Sequence, residues 1–378
     1  MSKPSQTPDP QASEASAGAD ATEQPVRKRR RLTGLQPLVV GVAAALVVGI
    51  GVGLGGGALL WKQDGTASAA KNSAAGSADA AASEPAVDGS AVDTSPQQVD
   101  RVRTDPVEEA VHELKDSGFK PVKSGKLTIA TTSGNAPLTF HASDGSTVVG
   151  SEVDVAQLLA DGLDLDLEVK TTSWADWPLG VQSGKYDVVV SNVGVTEERK
   201  DLFDFATYRH GLHSFLVRKD AGIKQMDSAA DIAGKKIVVG SGTNQEKILQ
   251  AWNESNKKKG LDEAELVYYD DTSAGILAVK AERADAYFGP NPSQIYQARV
   301  DKEMTAVGLV NAGWPDNSDV GVATAKDNGL VESLATVLEH DLKSGDLKKS
   351  QQRWGLESEV VEKVEVNPAG MPKPEKKD

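Results

Sequence analysis

The amino-acid sequence predicts an α/β fold that follows a single transmembrane helix. Between residues 126 and 356, short runs rich in β-branched side chains alternate with stretches of helical periodicity. That alternation is typical of helices packed on the faces of a mostly parallel sheet. Nearer the N-terminus, residues 38–61 are almost wholly apolar, and about 20 helical residues suffice to cross the hydrocarbon core of a bilayer.

The composition excludes several classes of protein. The chain has 378 residues, a formal net charge of -14 and no cysteine. Nucleic-acid binding needs lysine and arginine on the surface that faces the phosphates, so we expect no nucleic-acid partner. Without cysteine the chain cannot form disulfides, a cysteine-ligated zinc site or an acylated lipoprotein anchor. Any attachment to a membrane must therefore be made by the polypeptide.

The N-terminal region predicts a membrane anchor. Residues 1–33 are interpreted as a disordered basic tail with five consecutive cations at residues 27–31, and residues 34–61 as a transmembrane signal anchor. Because positive charges favour the cytoplasmic side, we expect a single-pass protein of the cell membrane with its N-terminus in the cytoplasm and the rest of the chain outside. The alternative is a secretory signal cleaved at residues 67–69, but its apolar region would be only about 7–15 residues long.

A stalk and a short helix are expected before the folded part. Residues 62–104 are dominated by Ala, Ser, Gly and Asp and lack a sustained apolar period, which is typical of a flexible linker. Within residues 105–125, Pro106 precedes apolar side chains at helical spacing. This pattern predicts a lead-in helix.

Six strands and two clear helices are predicted within the folded part. The strands cover residues 127–131, 167–171, 187–191, 236–240, 266–269 and 284–288. One helix begins at Ser151, which is predicted to form a capping box with Asp154, and the other begins near Val331. Apolar residues recur at helical spacing in both. These stripes are expected to face the core: Val155, Leu158 and Leu159 in the first helix, and Leu334, Leu338 and Leu342 in the second.

Three local patterns fall short of catalytic or metal-binding motifs. Residues 180–185, G-V-Q-S-G-K, have one residue too few between the glycines of a P-loop. Residues 240–242 lack the third glycine of a dinucleotide site, where Gln245 stands. His210 and His213 lie at odd spacing in an extended segment, so they point to opposite faces and do not share a metal. We expect no metal, no cofactor and no covalent catalysis.

Two loops carry features suited to binding a small anion. Residues 191–196, S-N-V-G-V-T, follow a predicted strand and precede Arg199, and a guanidinium can grip a carboxylate through two parallel hydrogen bonds. Residues 240–244, G-S-G-T-N, stand between a strand and a helix, where free backbone N–H groups and the helix dipole attract anions. Each has an ordinary alternative: an exposed arginine in a charged turn, and a helix start capped by Thr or Asn.

Four segments, taken in order, resemble a known family. They are G-S-E-V-D-V-A at residues 150–156, Q-S-G-K-Y-D at 182–187, T-E-E-R-K followed by F-D-F and Y at 196–208, and D-I-A-G-K-K followed by G-T at 231–243. Together they resemble the family 3 bacterial extracellular solute-binding proteins, which are amino-acid-binding receptors of ABC importers. The resemblance covers roughly residues 126–356.

The resemblance implies a two-lobed periplasmic-binding-protein (Venus flytrap) fold with two hinge strands. Lobe 1 would comprise residues 126–215 and 318–360, and lobe 2 residues 216–317. Residues 361–378 would be a polar tail. The ligand would lie in the cleft between the lobes.

The resemblance also implies which residues bind the ligand. Arg199 would grip a carboxylate. Family members that bind α-amino acids place an acidic residue after a lobe 2 strand, where this chain has Pro290 and Asn291. Asn291 is therefore expected to be a neutral acceptor for a ligand ammonium, unless the ligand is not a standard amino acid. The remaining implied contacts are small polar groups of lobe 1, an aromatic wall and the start of a lobe 2 helix: Ser191, Asn192, Gly194, Trp174, Thr243 and Asn244.

The function implied is capture of a small carboxylate-bearing solute, an amino acid or a derivative, and its delivery to the permease of an ABC importer. A membrane-anchored receptor that senses the ligand is one alternative, motivated by the permanent anchor. An enzyme is another, because related two-lobed proteins include dehydratases and lyases. An enzyme needs an acid or base in the cleft, and the sequence places none there.

Overall fold

The structure, a computed structural model, describes residues 92–373. They belong to one compact unit, Ala82–Asp378. The predicted cytoplasmic tail, the signal anchor at residues 34–61 and the stalk as far as residue 91 lie outside the described residues. Between residues 92 and 373, no helix combines the length and the apolar character needed to cross a bilayer.

Strands and helices alternate along the described chain, as the sequence predicts. The strands are β1 (Lys126–Thr131), β2 (Phe140–His141), β3 (Val148–Val149), β4 (Asp166–Thr171), β5 (Val188–Val189), β6 (Phe203–His210), β7 (Leu212–Arg218), β8 (Lys236–Val239), β9 (Glu265–Tyr268), β10 (Ala286–Pro290), β11 (Met304–Asn311) and β12 (Asp319–Ala325). The α-helices are α1 (Glu108–Asp116), α2 (Ser151–Gly162), α3 (Trp177–Gln182), α4 (Asn244–Lys258), α5 (Thr272–Lys280), α6 (Asn291–Val300), α7 (Val331–Ser344) and α8 (Asp346–Gln352). The strand predicted at residues 187–191 is shorter than expected, because Asn192 turns the chain with a left-handed φ of 52°.

Ten of these strands form two five-stranded sheets, one in each lobe, and β2 and β3 pair in a separate two-stranded sheet. Lobe 1 has the order β4-β1-β5-β12-β6, and lobe 2 has the order β11-β7-β10-β8-β9. β1 is parallel to β4 and β5, and β8 is parallel to β9 and β10. β12 is antiparallel to β5 and β6, and β7 is antiparallel to β10 and β11. Both sheets are therefore mixed, because β12 runs antiparallel to the other strands of the lobe 1 sheet and β7 runs antiparallel to the other strands of the lobe 2 sheet.

The chain crosses between the lobes twice. β6 passes directly into β7 at Gly211, which differs from the boundary expected at residues 215–216, and the second crossing is residues 312–318. The backbone N–H of Gly211 donates to the Ser318 carbonyl (3.1 Å), and its carbonyl accepts from the Ala312 N–H (2.9 Å). A Cβ at Gly211 would lie 2.2 Å from the Ser318 carbonyl oxygen. Glycine is required there because it lets the two crossings approach closely enough to pair.

Each lobe is packed around its own hydrophobic core. In lobe 2 the rings of Phe215 and Phe288 stack with centroids 4.2 Å apart, and Trp252 stacks beside them. In lobe 1, α2 and α7 pack on the sheet and bury the two predicted apolar stripes: Val155, Leu158, Leu159, Leu334 and Leu338 are buried, and Leu342 is partly buried. The cleft side chains are therefore carried by two separately packed bodies.

The start of α2 differs from the predicted capping box. Its N-cap is Gly150, with a φ of 131° and no side-chain cap bond. Asp154 instead accepts hydrogen bonds from Arg101 (2.7 Å), from the indole N–H of Trp354 (2.9 Å) and from Arg353. A buried carboxylate needs strong donors, and charged donors satisfy it better than neutral backbone groups.

Two segments predicted as linker and tail pack against lobe 1. Gln98, within the predicted stalk, is buried, and its side-chain oxygen accepts from Arg353 (3.0 Å). Residues 361–373, predicted as polar tail, begin by running along β6, where isolated bridges pair Arg209 with Val360 and Ala206 with Val366. The valines at residues 361, 364 and 366 are buried or half-buried, and the charged residues between them are exposed. The segment therefore packs on lobe 1 through its valines, which its overall polar composition does not show.

Candidate ligand-binding cleft

A cavity of about 750 Å³ lies between the two lobes, and its volume is within the range of small-molecule sites. Seven of the eight residues implied by the sequence line it, five from lobe 1 and two from lobe 2: Trp174, Ser191, Asn192, Gly194, Arg199, Thr243 and Asn244. The fold thus brings these residues to one cavity. Their contact with a ligand stays a prediction.

Arg199 joins the two lobes through its guanidinium. Nη1 donates to the Gly194 carbonyl of its own lobe (2.8 Å) and to the Asn244 side-chain oxygen of lobe 2 (3.2 Å), and Nη2 donates to the Gly242 carbonyl (3.4 Å). Within residues 92–373 it makes no salt bridge. Burial lowers the pKa of Arg199 to about 10, so the group stays cationic at neutral pH. A half-buried cation without a carboxylate partner is suited to an anionic ligand.

The start of α4 combines a helix cap with a link to the hinge. The Thr243 hydroxyl accepts from the Glu246 backbone N–H (3.2 Å) and donates to the Gly240 carbonyl (2.7 Å), so the ordinary alternative, a Thr-capped turn, is present. The Asn244 side-chain N–H donates to the Ala312 carbonyl in the second crossing (2.9 Å). Asn244 therefore contacts Arg199 with its oxygen and a hinge segment with its nitrogen.

Trp174 is a wall residue of the cleft rather than part of the core. It is half-buried, its ring lies 5.3 Å from the Arg199 guanidinium carbon, and its indole N–H donates to the Gly242 carbonyl of lobe 2 (3.4 Å). The neighbouring Trp177 is the one buried in the core of lobe 1. Stacking of a guanidinium on an indole face is a favourable cation–π arrangement.

Ser191 and Asn192 are held by bonds to other parts of lobe 1. The Ser191 hydroxyl accepts from the Thr132 backbone N–H (3.0 Å) and shares a 2.8 Å bond with the Thr132 hydroxyl. The Asn192 backbone N–H donates to Glu152 (2.7 Å), and its side-chain oxygen accepts from Arg209 (2.5 Å). The Asn192 side-chain oxygen is therefore already engaged within the protein.

A buried ionic network lies behind this loop. Arg209 donates to Glu359 (2.8 Å) and to Glu152 (3.2 Å), and Tyr208 donates its hydroxyl to Glu152. Burial alone would lower the pKa of Arg209, but the two carboxylates outweigh it and raise that pKa above its ordinary value. The guanidinium is therefore permanently charged, and its hydrogen bond holds the Asn192 side chain in place.

Asn291 does not line the cavity, in contrast to the sequence-based expectation. It begins α6 and is buried, and its side-chain N–H donates to Glu359 (3.1 Å). The carboxylate of Glu359 attracts the amide away from the cleft because a charged acceptor forms the stronger hydrogen bond. The expected contact of Asn291 with a ligand ammonium thus has no support in the geometry.

Four further lining residues carry a charge or an imidazole ring and were missed by the sequence reasoning: Glu198, Lys247, Asp270 and His213. Glu198 and Lys247 pair across the lobes. Asp270 follows β9, is exposed and makes no salt bridge within the described chain. Asp270 could have been predicted from the sequence, because it follows a predicted strand and ligands of α/β sheets bind beyond the carboxyl ends of strands.

His213 lies at the hinge side of the cavity, on β7. It is 4% exposed, and neither ring nitrogen has a hydrogen-bond partner among residues 92–373. Burial lowers the pKa of His213 to about 3, so the ring is neutral at physiological pH. Within that same part of the chain, no cluster of three or more His, Asp or Glu side chains is arranged to hold a metal.

Comparison with known proteins assigns the family. The model of bacterial extracellular solute-binding proteins, family 3, matches residues 127–357. The chain is 27% identical over 250 residues to the L-cystine-binding protein TcyJ of Escherichia coli K12, covering 65% of this chain and 89% of that protein. It is 31% identical over 234 residues to the L-cystine-binding protein TcyA of Bacillus subtilis, covering 61% and 82%.

Solved structures agree with this assignment. The amino acid ABC transporter substrate-binding protein AbpA of Streptococcus pneumoniae, bound to L-arginine, is similar with a TM-score of 0.54 at 26% identity, covering 62% of this chain and 96% of that one. An ancestral arginine-binding protein bound to arginine is similar with a TM-score of 0.53 at 28% identity, covering 61% and 98%. The two-lobed fold, the cleft and the matched motifs place this chain in family 3 of the bacterial extracellular solute-binding proteins.

Proposed function

We propose that this chain captures an amino acid or a related carboxylate outside the membrane and delivers it to the permease of an ABC importer. The observation that carries the proposal is the position of Arg199. Its guanidinium lies in the interlobe cavity, has no carboxylate partner within residues 92–373 and contacts both lobes. A carboxylate bound there would interact with both lobes at once, and only the closed state allows that.

The rest of the cavity suits a zwitterionic ligand. Glu198 and Lys247 neutralise each other, which leaves Arg199 as the cation and Asp270 as the anion available to a ligand. A ligand ammonium would then find an acid at Asp270 instead of at the family's usual position, which Pro290 and Asn291 occupy. Relatives named for binding L-cystine and L-arginine support an amino-acid ligand.

The function can be tested by isothermal titration calorimetry of the full-length chain in detergent micelles. The ligands are each proteinogenic amino acid and L-cystine. Replacing Arg199 by Ala (Arg199→Ala) is expected to raise the Kd roughly tenfold or more. Hydrogen bonds to charged groups contribute about 1.5–3 kcal/mol, and 1.4 kcal/mol is a factor of ten.

The control is Arg218→Ala, because Arg218 lies on β7 and pairs with Asp220 and Glu282 rather than with cavity residues. Equal affinity of the Arg199→Ala variant and the parent for the ligand would reject the proposed contact between Arg199 and the ligand carboxylate. Heat that continues after saturation would indicate turnover and favour the enzymatic alternative.

We also propose that residues 34–61 hold the binding domain at the outer face of the cell membrane. Recovery of the chain in the membrane fraction with an intact N-terminus, measured by mass spectrometry, is expected for a retained anchor, and a start near residue 70 would indicate cleavage. The sensing alternative makes a different prediction. It would be favoured if deleting the gene left uptake of the bound amino acid unchanged.

A further inference from the structure

We propose that residues 359–371 form a strap that positions the ligand loop, residues 192–199, and ties it to lobe 2. The strap lies beyond residues 127–357, the part of the chain that matches the family model. Its suggested effect on ligand binding rests on the proposed function, because the ligand loop contains Asn192, Gly194 and Arg199. Its effect on the lobes does not depend on that function.

The strap first follows the outer edge of lobe 1. β6 is the last strand of its sheet, and the strap covers its free edge. The Thr207 N–H donates to the Glu365 carbonyl (3.1 Å), and the Asn367 N–H donates to the Phe205 carbonyl (3.0 Å). The Asn367 side-chain oxygen also accepts from the Phe205 N–H (2.9 Å). These bonds fix the strap to lobe 1.

The far end of the strap pairs with the ligand loop itself. The Met371 N–H donates to the Val195 carbonyl (3.1 Å), and the Met371 carbonyl accepts from the Glu197 N–H (2.9 Å). These two bonds flank Thr196, whose hydroxyl accepts from the Arg199 backbone N–H (3.0 Å). The strap therefore sets the backbone position from which Arg199 reaches the cavity.

Gly370 permits this close pairing. Its N–H donates to the Glu197 side chain (3.0 Å). A Cβ at Gly370 would lie 2.3 Å from the Val195 carbonyl oxygen, so any other residue would push the strap away from the loop.

The near end of the strap contacts the other end of the same loop. Glu359 accepts from Arg209 (2.8 Å), and Arg209 in turn donates to the Asn192 side chain (2.5 Å). Glu359 also accepts from Asn291 of lobe 2 (3.1 Å). One buried carboxylate thus joins the loop to the second lobe.

Met371 makes the second link to lobe 2. Its side chain is 4% exposed and belongs to a buried cluster whose other described buried members come from residues 215–310. Because the strap backbone is bonded to lobe 1, Met371 must leave that cluster when lobe 2 swings away. Losing this burial opposes opening, so the strap favours the closed arrangement and moves together with the ligand loop.

The inference can be tested by measuring the distance between the lobes without any ligand. The chain has no cysteine, so Leu179→Cys in lobe 1 and Leu277→Cys in lobe 2, which are 72% and 58% exposed, can be spin-labelled in the full-length protein. Pulsed electron–electron double resonance then gives the distribution of distances between the two spin labels. Met371→Ala is expected to raise the ratio of open to closed molecules about tenfold, and Met371→Leu should restore the parent distribution.

Two further variants separate positioning from general stability. Met226→Ala removes the same side chain from the same lobe 2 cluster and should lower the thermal midpoint without changing the distance. Gly370→Ala should open the lobes as Met371→Ala does. An unchanged distribution in both strap variants would overturn the proposal. If no amino acid binds the parent chain but the strap variants open it, the proposed function fails and the strap stands.

Discussion

His213 shows how one buried side chain affects the stability of the whole fold. Its ring packs edge-on against Phe288, with centroids 5.6 Å apart, and both nitrogens lack partners within the described residues. Burial disfavours the charged form and the cationic Arg209 adds to the effect, which explains why the pKa of His213 falls to about 3. The native protein therefore contains a neutral imidazole over the whole physiological range.

The pH dependence of stability should reveal this residue. In the unfolded chain His213 takes up a proton near pH 6.5, but in the native protein only near pH 3. As the pH falls from about 6.5 towards 3, the unfolded state binds more protons and the native state loses stability. His213→Phe should reduce the loss of unfolding free energy between pH 7 and pH 5, measured by urea denaturation. Identical losses in variant and parent would show that His213 is not buried in neutral form.

At the scale of elements, the first turn of α2 concentrates buried negative charge. Glu152 and Asp154 are both fully buried there. Glu152 is satisfied by Tyr208, Arg209 and the Asn192 N–H, while Asp154 binds cations from opposite ends of the described chain. The positive end of the helix dipole favours acidic groups in this turn. The first turn of α2 therefore connects several distant segments of lobe 1 through its two carboxylates.

Asp154→Asn is expected to destabilise the protein by roughly 3 kcal/mol, because removing one member of a buried ion pair leaves its partners uncompensated. Arg101 and Arg353 would lose their shared carboxylate. Guanidinium chloride unfolding measures the change. Glu108→Gln, at an exposed acid in the first turn of α1, is the matched control and should cost less than about 0.5 kcal/mol. Similar losses in both variants would contradict the importance of the α2 cluster.

At the scale of the whole molecule, the hinge is narrow and internally hydrogen-bonded. The two crossings pair at Gly211, and Asn244 connects the second crossing to the cavity. Because Arg199 bonds to Asn244, the ligand loop, the hinge and the start of α4 form one connected set of contacts. Movement of the lobes and the position of the guanidinium are therefore coupled.

Gly211→Ala should disturb that hinge. The added methyl would meet the Ser318 carbonyl oxygen at 2.2 Å, and overpacking of this kind costs about 1–3 kcal/mol. Thermal and denaturant unfolding would report the loss. Gly240→Ala is the comparison, because its methyl would meet nothing closer than Thr243 at 3.3 Å and should cost less. Equal stability of the Gly211→Ala variant and the parent would mean that the crossings can separate without penalty.

The sequence alone predicted six of the twelve described strands and the position of the candidate site. Those six strands lie near their predicted places because periodicity records which face of each segment is buried. Arg199, Thr243 and Asn244 could be found because they follow strands, and the ends of strands converge at a cleft in this fold. The family resemblance supplied the two lobes and the hinge.

The tertiary structure alone decided which partner each polar side chain takes. Asp154 binds Arg353 across 199 positions of sequence, and Asn291 turns to Glu359 across 68. Residues 359–371, most of which were predicted as a polar tail, become a strap only because the edge of β6 and the ligand loop offer them backbone partners. Local patterns specify the burial of a segment, whereas hydrogen bonds and ion pairs depend on which distant segments the fold brings within about 3 Å of each other.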